Sequence, residues 1–146
     1  GVFVFLVIVA LLGLAIPHPA SDTDLTDRHV VDQAVFETSL RDFVRGKSSL
    51  RREHRHLDWT TDYCSAPIVG NEGRSFNFRN ACMRHDFAYR NYRRLGVLDA
   101  PMRDAIDEVF HGDLVDSCLP KRVSLRLRCL AWAEMFFEIV RVAGGP

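Results

Sequence analysis

A small all-α domain stapled by disulfides is the fold class this sequence predicts, and three observations carry it. Apolar residues recur at helical spacing in four stretches between residues 26 and 143, the mark of helices that bury one face. No stretch of useful length alternates polar with apolar, so strands are not expected. Four cysteines, Cys64, Cys82, Cys118 and Cys129, make an even set in a chain of 146 residues, which is at most one domain. The expected architecture is a helical bundle of four to five helices. Two long antiparallel helices face each other and carry the chemistry.

The first twenty residues stand apart from that domain. Residues 2–16, VFVFLVIVALLGLAI, are uninterrupted apolar sequence that breaks at Pro17 and Pro19 and turns polar at Ser21. The run suits the apolar core of a secretory signal peptide and falls short of the roughly 20 residues a membrane span needs. A basic segment is expected upstream of Gly1. Cleavage is expected after Ala20, although His18 fits the small-residue rule poorly, and residues 21–146 are then the mature, extracellular domain. Export suits two disulfides. Of three possible pairings, the short loops favour Cys64 with Cys82 and Cys118 with Cys129.

Each element follows from local signals. Thr26 is the expected N-cap of an entry helix whose apolar residues Phe36, Leu40, Phe43 and Val44 keep helical spacing to Gly46. A charged segment, 50–57, leads into a long loop with turn residues Pro67, Gly70 and Gly73. Helical pattern resumes near Asn80 and stops at Gly96, a residue suited to a C-terminal cap. Pro101 fits the first turn of the next helix, with Met102, Ile106, Val109, Phe110 and Leu114 on one face. Ser124 is the expected cap of a last helix with a stripe of Leu125, Cys129, Trp132, Phe136, Ile139 and Val140, ended by residues 144–146.

Charge narrows the partners. Net charge is zero and the leader holds no charged residue, so the mature chain is neutral. A nucleic-acid partner is not expected, because such proteins carry a basic excess. The clusters RREHRH at 51–56 and YRNYRR at 89–94 read as solvated helix faces, while Arg51-Arg52 and Lys121-Arg122 also fit dibasic processing sites. A neutral protein gains little from an anionic membrane. The chain is expected to be a monomer.

The chemistry centres on His85 and Asp86, adjacent on a helix and therefore pointing about 100° apart. A bridge from Cys64 to Cys82 would bring Asp62 near the helix face that carries Asp86, four residues after Cys82. Two close carboxylates repel unless a proton or cation intervenes, and outside the cell Ca²⁺ is the natural occupant, with the Tyr63 carbonyl as a further ligand. His85 would then point away from the ion and could act as a base oriented by an acid on the following helix. On the helical wheel Asp104 faces away, while Asp107 and Asp113 both remain possible.

The segments CMRHDFAYRN at 82–91 and DWTTDYC at 58–64 closely resemble the small secreted phospholipase A2 enzymes of bacteria and fungi, and the likeness extends over nearly all of residues 21–146. The resemblance implies a calcium-dependent hydrolysis of the sn-2 ester of glycerophospholipids at a membrane or micelle surface. It places the catalytic base on His85 and its orienting acid on Asp107, within RDAIDEVF, and the calcium ligands on the Asp62 side chain, the Tyr63 carbonyl and the Asp86 side chain. Two departures stand out: the loop 65–78 lacks the Asp-Asn-Pro-rich turn of the family, and the link from His85 to Asp107 is about one residue long. Phe76 and Phe78 suit either contact with lipid or the core. The competing readings are a secreted non-catalytic binding protein on the same scaffold, and a metal phosphohydrolase built from His54, His56, His85, Asp86 and Asp107.

Overall fold

The computed structural model describes residues 21–64, 72–73 and 76–143; the expected leader and the turn residues Pro67 and Gly70 lie outside them. The entry region is two helices, not one. Helix α1 spans Asp22–Asp32. Its N-cap is Ser21, whose hydroxyl accepts the Asp24 N–H at 3.1 Å in a capping box. Thr26 is therefore not the cap: it lies one turn inside, its hydroxyl donating to the Asp22 carbonyl. A π-helical turn, Gln33–Glu37, follows, and the chain turns extended at Thr38. Ser39 then caps α2, Leu40–Glu53, by accepting the Asp42 N–H. The cap competes with the continuous helical spacing of Phe36 and Leu40 and wins. Gly46 does not end α2, because an exposed glycine with nothing near its missing side chain costs a helix too little to stop it.

The remaining helices follow the expected order. α3 spans Arg79–Arg94 and closes on Gly96, whose φ of +71° needs a glycine. α4 spans Ala100–Cys118, with Asp99 accepting the Met102 N–H at 2.9 Å and Pro101 in the first turn. α5 spans Val123–Ala143 and starts one residue before Ser124, which is thus inside it and not its cap. Its buried line is Cys129, Ala133, Phe136 and Phe137; Leu125, expected in the stripe, is exposed. Two short strands, β1 (Glu72–Gly73) and β2 (Phe76–Asn77), pair antiparallel ahead of α3.

Both cysteine pairings are as expected, with Cα separations of 5.4 Å for Cys64–Cys82 and 5.6 Å for Cys118–Cys129. The helix directions follow from cross-links. Tyr89 meets Asp107 while Arg84 meets Asp113, so α3 and α4 are antiparallel. Cys118 meets Cys129 and His111 meets Glu134, so α4 and α5 are antiparallel as well. One core cluster gathers both disulfides around Phe76, Phe78, Phe110 and Phe136, which makes Phe76 and Phe78 core residues and not lipid contacts. A second cluster joins Val31, Phe43, Leu57, Phe87 and Tyr92.

Every α3 residue from Ala81 to Tyr89 is buried. Helices cover three sides, and the segment after α2 covers the fourth. Polar residues on this helix therefore have to find partners inside the protein.

Candidate active site

The segment 58–64 lies antiparallel along α3, fastened at each turn. Asp58 exchanges two backbone-to-amide bonds with Asn91, each 2.9 Å. Arg90 donates to the Thr60 hydroxyl at 3.0 Å and lies 3.7 Å from the Asp62 carboxylate. Asp86 accepts the Thr61 hydroxyl and the N–H groups of Asp62 (3.1 Å) and Tyr63 (3.3 Å). Cys82 closes the series with its bridge to Cys64. Cys82, Asp86 and Arg90 are spaced by four, so a single helix face templates the segment. Tyr63 and Cys64 both take positive φ, 55° and 53°, a conformation non-glycine residues adopt only when the surroundings fix it.

All three bonds to Asp86 reach one oxygen, Oδ2, and among the described residues no donor meets the other. Burial, and then the neighbouring Asp62 charge, hold this carboxyl above the ordinary carboxylate range despite the Thr61 hydroxyl that pulls the other way. Asp62 is more than half exposed. A half-satisfied buried carboxylate beside a second carboxylate is a donor set for a hard cation. No three His, Cys, Asp or Glu side chains converge on a metal-binding group among the described residues. A bound ion would thus take two carboxylates plus backbone and water oxygens, which suits Ca²⁺ better than a transition metal.

His85 leaves the same helix toward α4. Its Nε2 lies 3.0 Å from Asp107 Oδ1, and its ring sits between Tyr89 and Phe110, with centroids 4.6 and 4.5 Å away. Tyr89 donates its hydroxyl to the same Asp107 oxygen at 2.9 Å. Burial, then that bond, push the Tyr89 phenol well above its ordinary pKa, so it remains a donor. Asp113 is occupied elsewhere: Arg84 grips it through Nε at 2.8 Å and through a second guanidinium nitrogen, and also donates to the Thr38 carbonyl. Asp104 is exposed. Of the two acids left open by the helical wheel, Asp107 is the one that meets His85.

His54 and His56 do not join this site. His56 pairs with buried Asp27 at 2.6 Å, and Arg94 completes that cluster at 2.8 Å. The five-residue phosphohydrolase set is therefore not assembled. Sequence reasoning missed Tyr89, Thr61, Arg90 and Asn91. For Tyr89 a signal existed, since it follows His85 by four and must share its face; for Thr61 none did.

Comparison with known proteins bears on this geometry. The family model described as prokaryotic phospholipase A2 matches residues 31–144. A secretory phospholipase A2 of Beauveria bassiana is 33% identical over 138 residues, covering 93% of this chain and 70% of that protein. A second, from Arthroderma benhamiae, is 28% identical over 135 residues, covering 90% of this chain and 88% of that protein. The matched span runs from the end of α1 through α5 and contains every residue of the site just described, so the chain belongs to the prokaryotic phospholipase A2 family, a family of lipid-hydrolysing enzymes.

Proposed function

We propose that this protein is a secreted, calcium-dependent phospholipase A2 that releases the sn-2 fatty acid of glycerophospholipids at a lipid surface. The observation that carries the reading is the His85–Asp107 pair: a buried imidazole with one nitrogen on a carboxylate and aromatic rings on both sides. With Nε2–H donating to Asp107, the lone pair lies on Nδ1. His85 Nδ1 takes a proton from water as the water oxygen attacks the ester carbonyl, and Asp107 stabilises the imidazolium that forms. Tyr89 fixes the Asp107 carboxylate by donating to the same oxygen. His85 then returns the proton to the departing alcohol oxygen, leaving a fatty acid and a lysophospholipid.

Asp62, the Tyr63 carbonyl and Asp86 would hold Ca²⁺. When bound, the ion supplies Lewis-acid polarisation of the ester carbonyl and charge for its developing oxyanion. Residues 1–20 are assigned to a removable leader and residues 21–146 to the mature domain. The relatives' description as secretory and the two disulfides support export.

One assay tests the whole reading: fatty-acid release from mixed phospholipid vesicles with calcium, with EGTA, and with His85→Gln. Release is expected only from the unmodified protein with calcium. Release that survives both EGTA and the substitution would sink the mechanism.

A further inference from the structure

The exposed apolar residues of this protein are not scattered. Among the described residues, six of the eight large hydrophobic side chains that face solvent lie between residues 119 and 142. Four of them, Leu119, Val123, Leu125 and Leu127, fall within the ten residues that the Cys118–Cys129 bridge encloses. The same ten residues, LPKRVSLRLR, hold four cations and no acid. None of Lys121, Arg122, Arg126 and Arg128 forms an ion pair among the described residues. In water, such a surface exposes apolar area that gains nothing and gathers like charges that repel.

We propose that this clasped tip is the surface by which the enzyme docks on anionic phospholipid bilayers, its leucines entering the interface and its cations meeting lipid phosphates. The inference rests on the phospholipase reading for its partner. Apolar side chains and a basic patch together are the two signals that stable interfacial binding needs. The tip is held rigid. Besides the bridge, Arg126 donates twice to the Lys121 carbonyl, at 3.2 and 2.9 Å, and the Lys121 N–H donates to the Cys118 carbonyl.

Its position suits the role. Cys118 and Cys129 share a core cluster with Cys82, and Cys64 packs against the same cluster, so the tip is anchored where the segment 58–64 ends. Lys121 also lies over the Phe76 ring, 5.4 Å from its centroid. The groove beside Leu119 and Pro120 is balanced in charge, lined by Arg41 and Arg45 and by Asp42 and Asp116, so the cationic excess is that of the tip itself. A chain with zero net charge can thus be strongly dipolar, and the neutral total hides a surface that anionic lipid would orient. The dibasic Lys121-Arg122 becomes part of a lipid contact instead of a processing site.

The test is sedimentation of the full chain with vesicles of diether phosphatidylcholine, with and without diether phosphatidylglycerol, lipids that carry no ester to hydrolyse. Arg122→Gln with Arg128→Gln is expected to weaken binding to the anionic vesicles about thirtyfold and to leave the neutral ones unchanged, since each surface cation is worth about a fivefold factor. Val123→Ser with Leu127→Ser is expected to weaken binding to both. Binding of the unmodified protein to anionic vesicles is expected to fall with added salt.

Both variants are expected to hydrolyse a short-chain phospholipid dispersed below its micelle concentration at the unmodified rate. Partition of both variants at the unmodified level overturns the proposal. So does a change from dimer to monomer in the serine variant with vesicle binding intact, which would make the tip a self-association surface. Loss of short-chain hydrolysis by the unmodified protein would instead overturn the phospholipase reading and leave the partition result to be read by itself.

Discussion

Among the described residues, two histidine–aspartate pairs of similar geometry sit in different surroundings. His85 meets Asp107 at 3.0 Å and His56 meets Asp27 at 2.6 Å. Both aspartates are buried. The difference lies in what else each aspartate holds. Asp27 also accepts from Arg94, a permanent cation that compensates its charge, and His56 is half exposed to water. Among the described residues Asp107 accepts otherwise only from the neutral Tyr89 hydroxyl, so its charge is directed at His85 inside an aromatic enclosure. A carboxylate whose charge is already matched orients a histidine but gives little extra stabilisation to an imidazolium. Short distance alone does not make a dyad.

Removing each histidine in turn separates the two pairs most widely. His85→Gln is expected to lower the turnover of phospholipid by about 10³- to 10⁴-fold, the range of a general base and its oriented partner. His56→Gln is expected to change it by less than about twofold. Comparable losses from the two substitutions, measured by fatty-acid release on folded protein, would erase the distinction drawn here.

A third buried aspartate extends the comparison. Asp113 is matched by Arg84 alone, an ion pair enclosed between α3, α4 and the Thr38 carbonyl. Asp113 is only 3% exposed, and this burial holds its carboxyl above its ordinary pKa even with Arg84 attached. Arg84→Met leaves that carboxylate unpaired and is expected to lower unfolding free energy by about 3–5 kcal/mol in urea titrations. Adding Asp113→Leu is expected to recover most of the loss, because the pair itself is worth less than the orphan costs. A double variant no more stable than the single one would show that the pair contributes more than mutual neutralisation.

These three aspartates also mark what the sequence could and could not reveal. The order of the three C-terminal helices, both disulfides and the placement of Asp62 near Asp86 were legible, because caps, cysteine spacing and i, i+4 relations are local. His85 and Asp107 were legible as candidates, but helical periodicity alone left Asp113 beside Asp107. The family resemblance placed the acid on Asp107; the physical reason Asp113 is not available is Arg84, whose reach to it is a tertiary contact. The break at Thr38 was hidden under apolar spacing that continued across it. The burial of residues 81–89 on every side of α3 was hidden too, since a segment that covers the helix lets its polar residues point inward and find partners there. The cationic tip at 119–128 was invisible to net charge because the rest of the chain balances it.

Tyr89 offers a finer test of how Asp107 is held. Tyr89→Phe keeps the ring beside His85 and removes only the donor to the carboxylate. The expected result is about a tenfold fall in turnover, the size of one hydrogen bond to a charged group. Substrate affinity is expected to hold. A change confined to a rise in KM would place the hydroxyl on the substrate instead of on Asp107.

The smallest expected effect belongs to the His56–Asp27 pair, and its sign is fixed by linkage. Burial raises the Asp27 pKa, but the bonds from His56 and Arg94 outweigh it and hold the carboxyl below its ordinary value. A carboxyl with a lowered folded pKa binds protons more weakly in the folded state than in the unfolded one. Its stabilisation is therefore complete above the unfolded value of about 3.9 and is lost as pH falls through the lower folded value. Asp27→Asn is expected to cost about 1 kcal/mol at pH 7, reduced from the figure for an enclosed charge pair because His56 and Arg94 both reach solvent. The gap between variant and unmodified protein should close in thermal melts as pH falls below the ordinary carboxylate range, as protonation removes from the unmodified chain what the substitution has already taken. A gap that widened on acidification would mean that Asp27 is held above its ordinary value, with burial dominant, and the cluster would then resemble Asp113 more than an exposed clamp between α1 and α3.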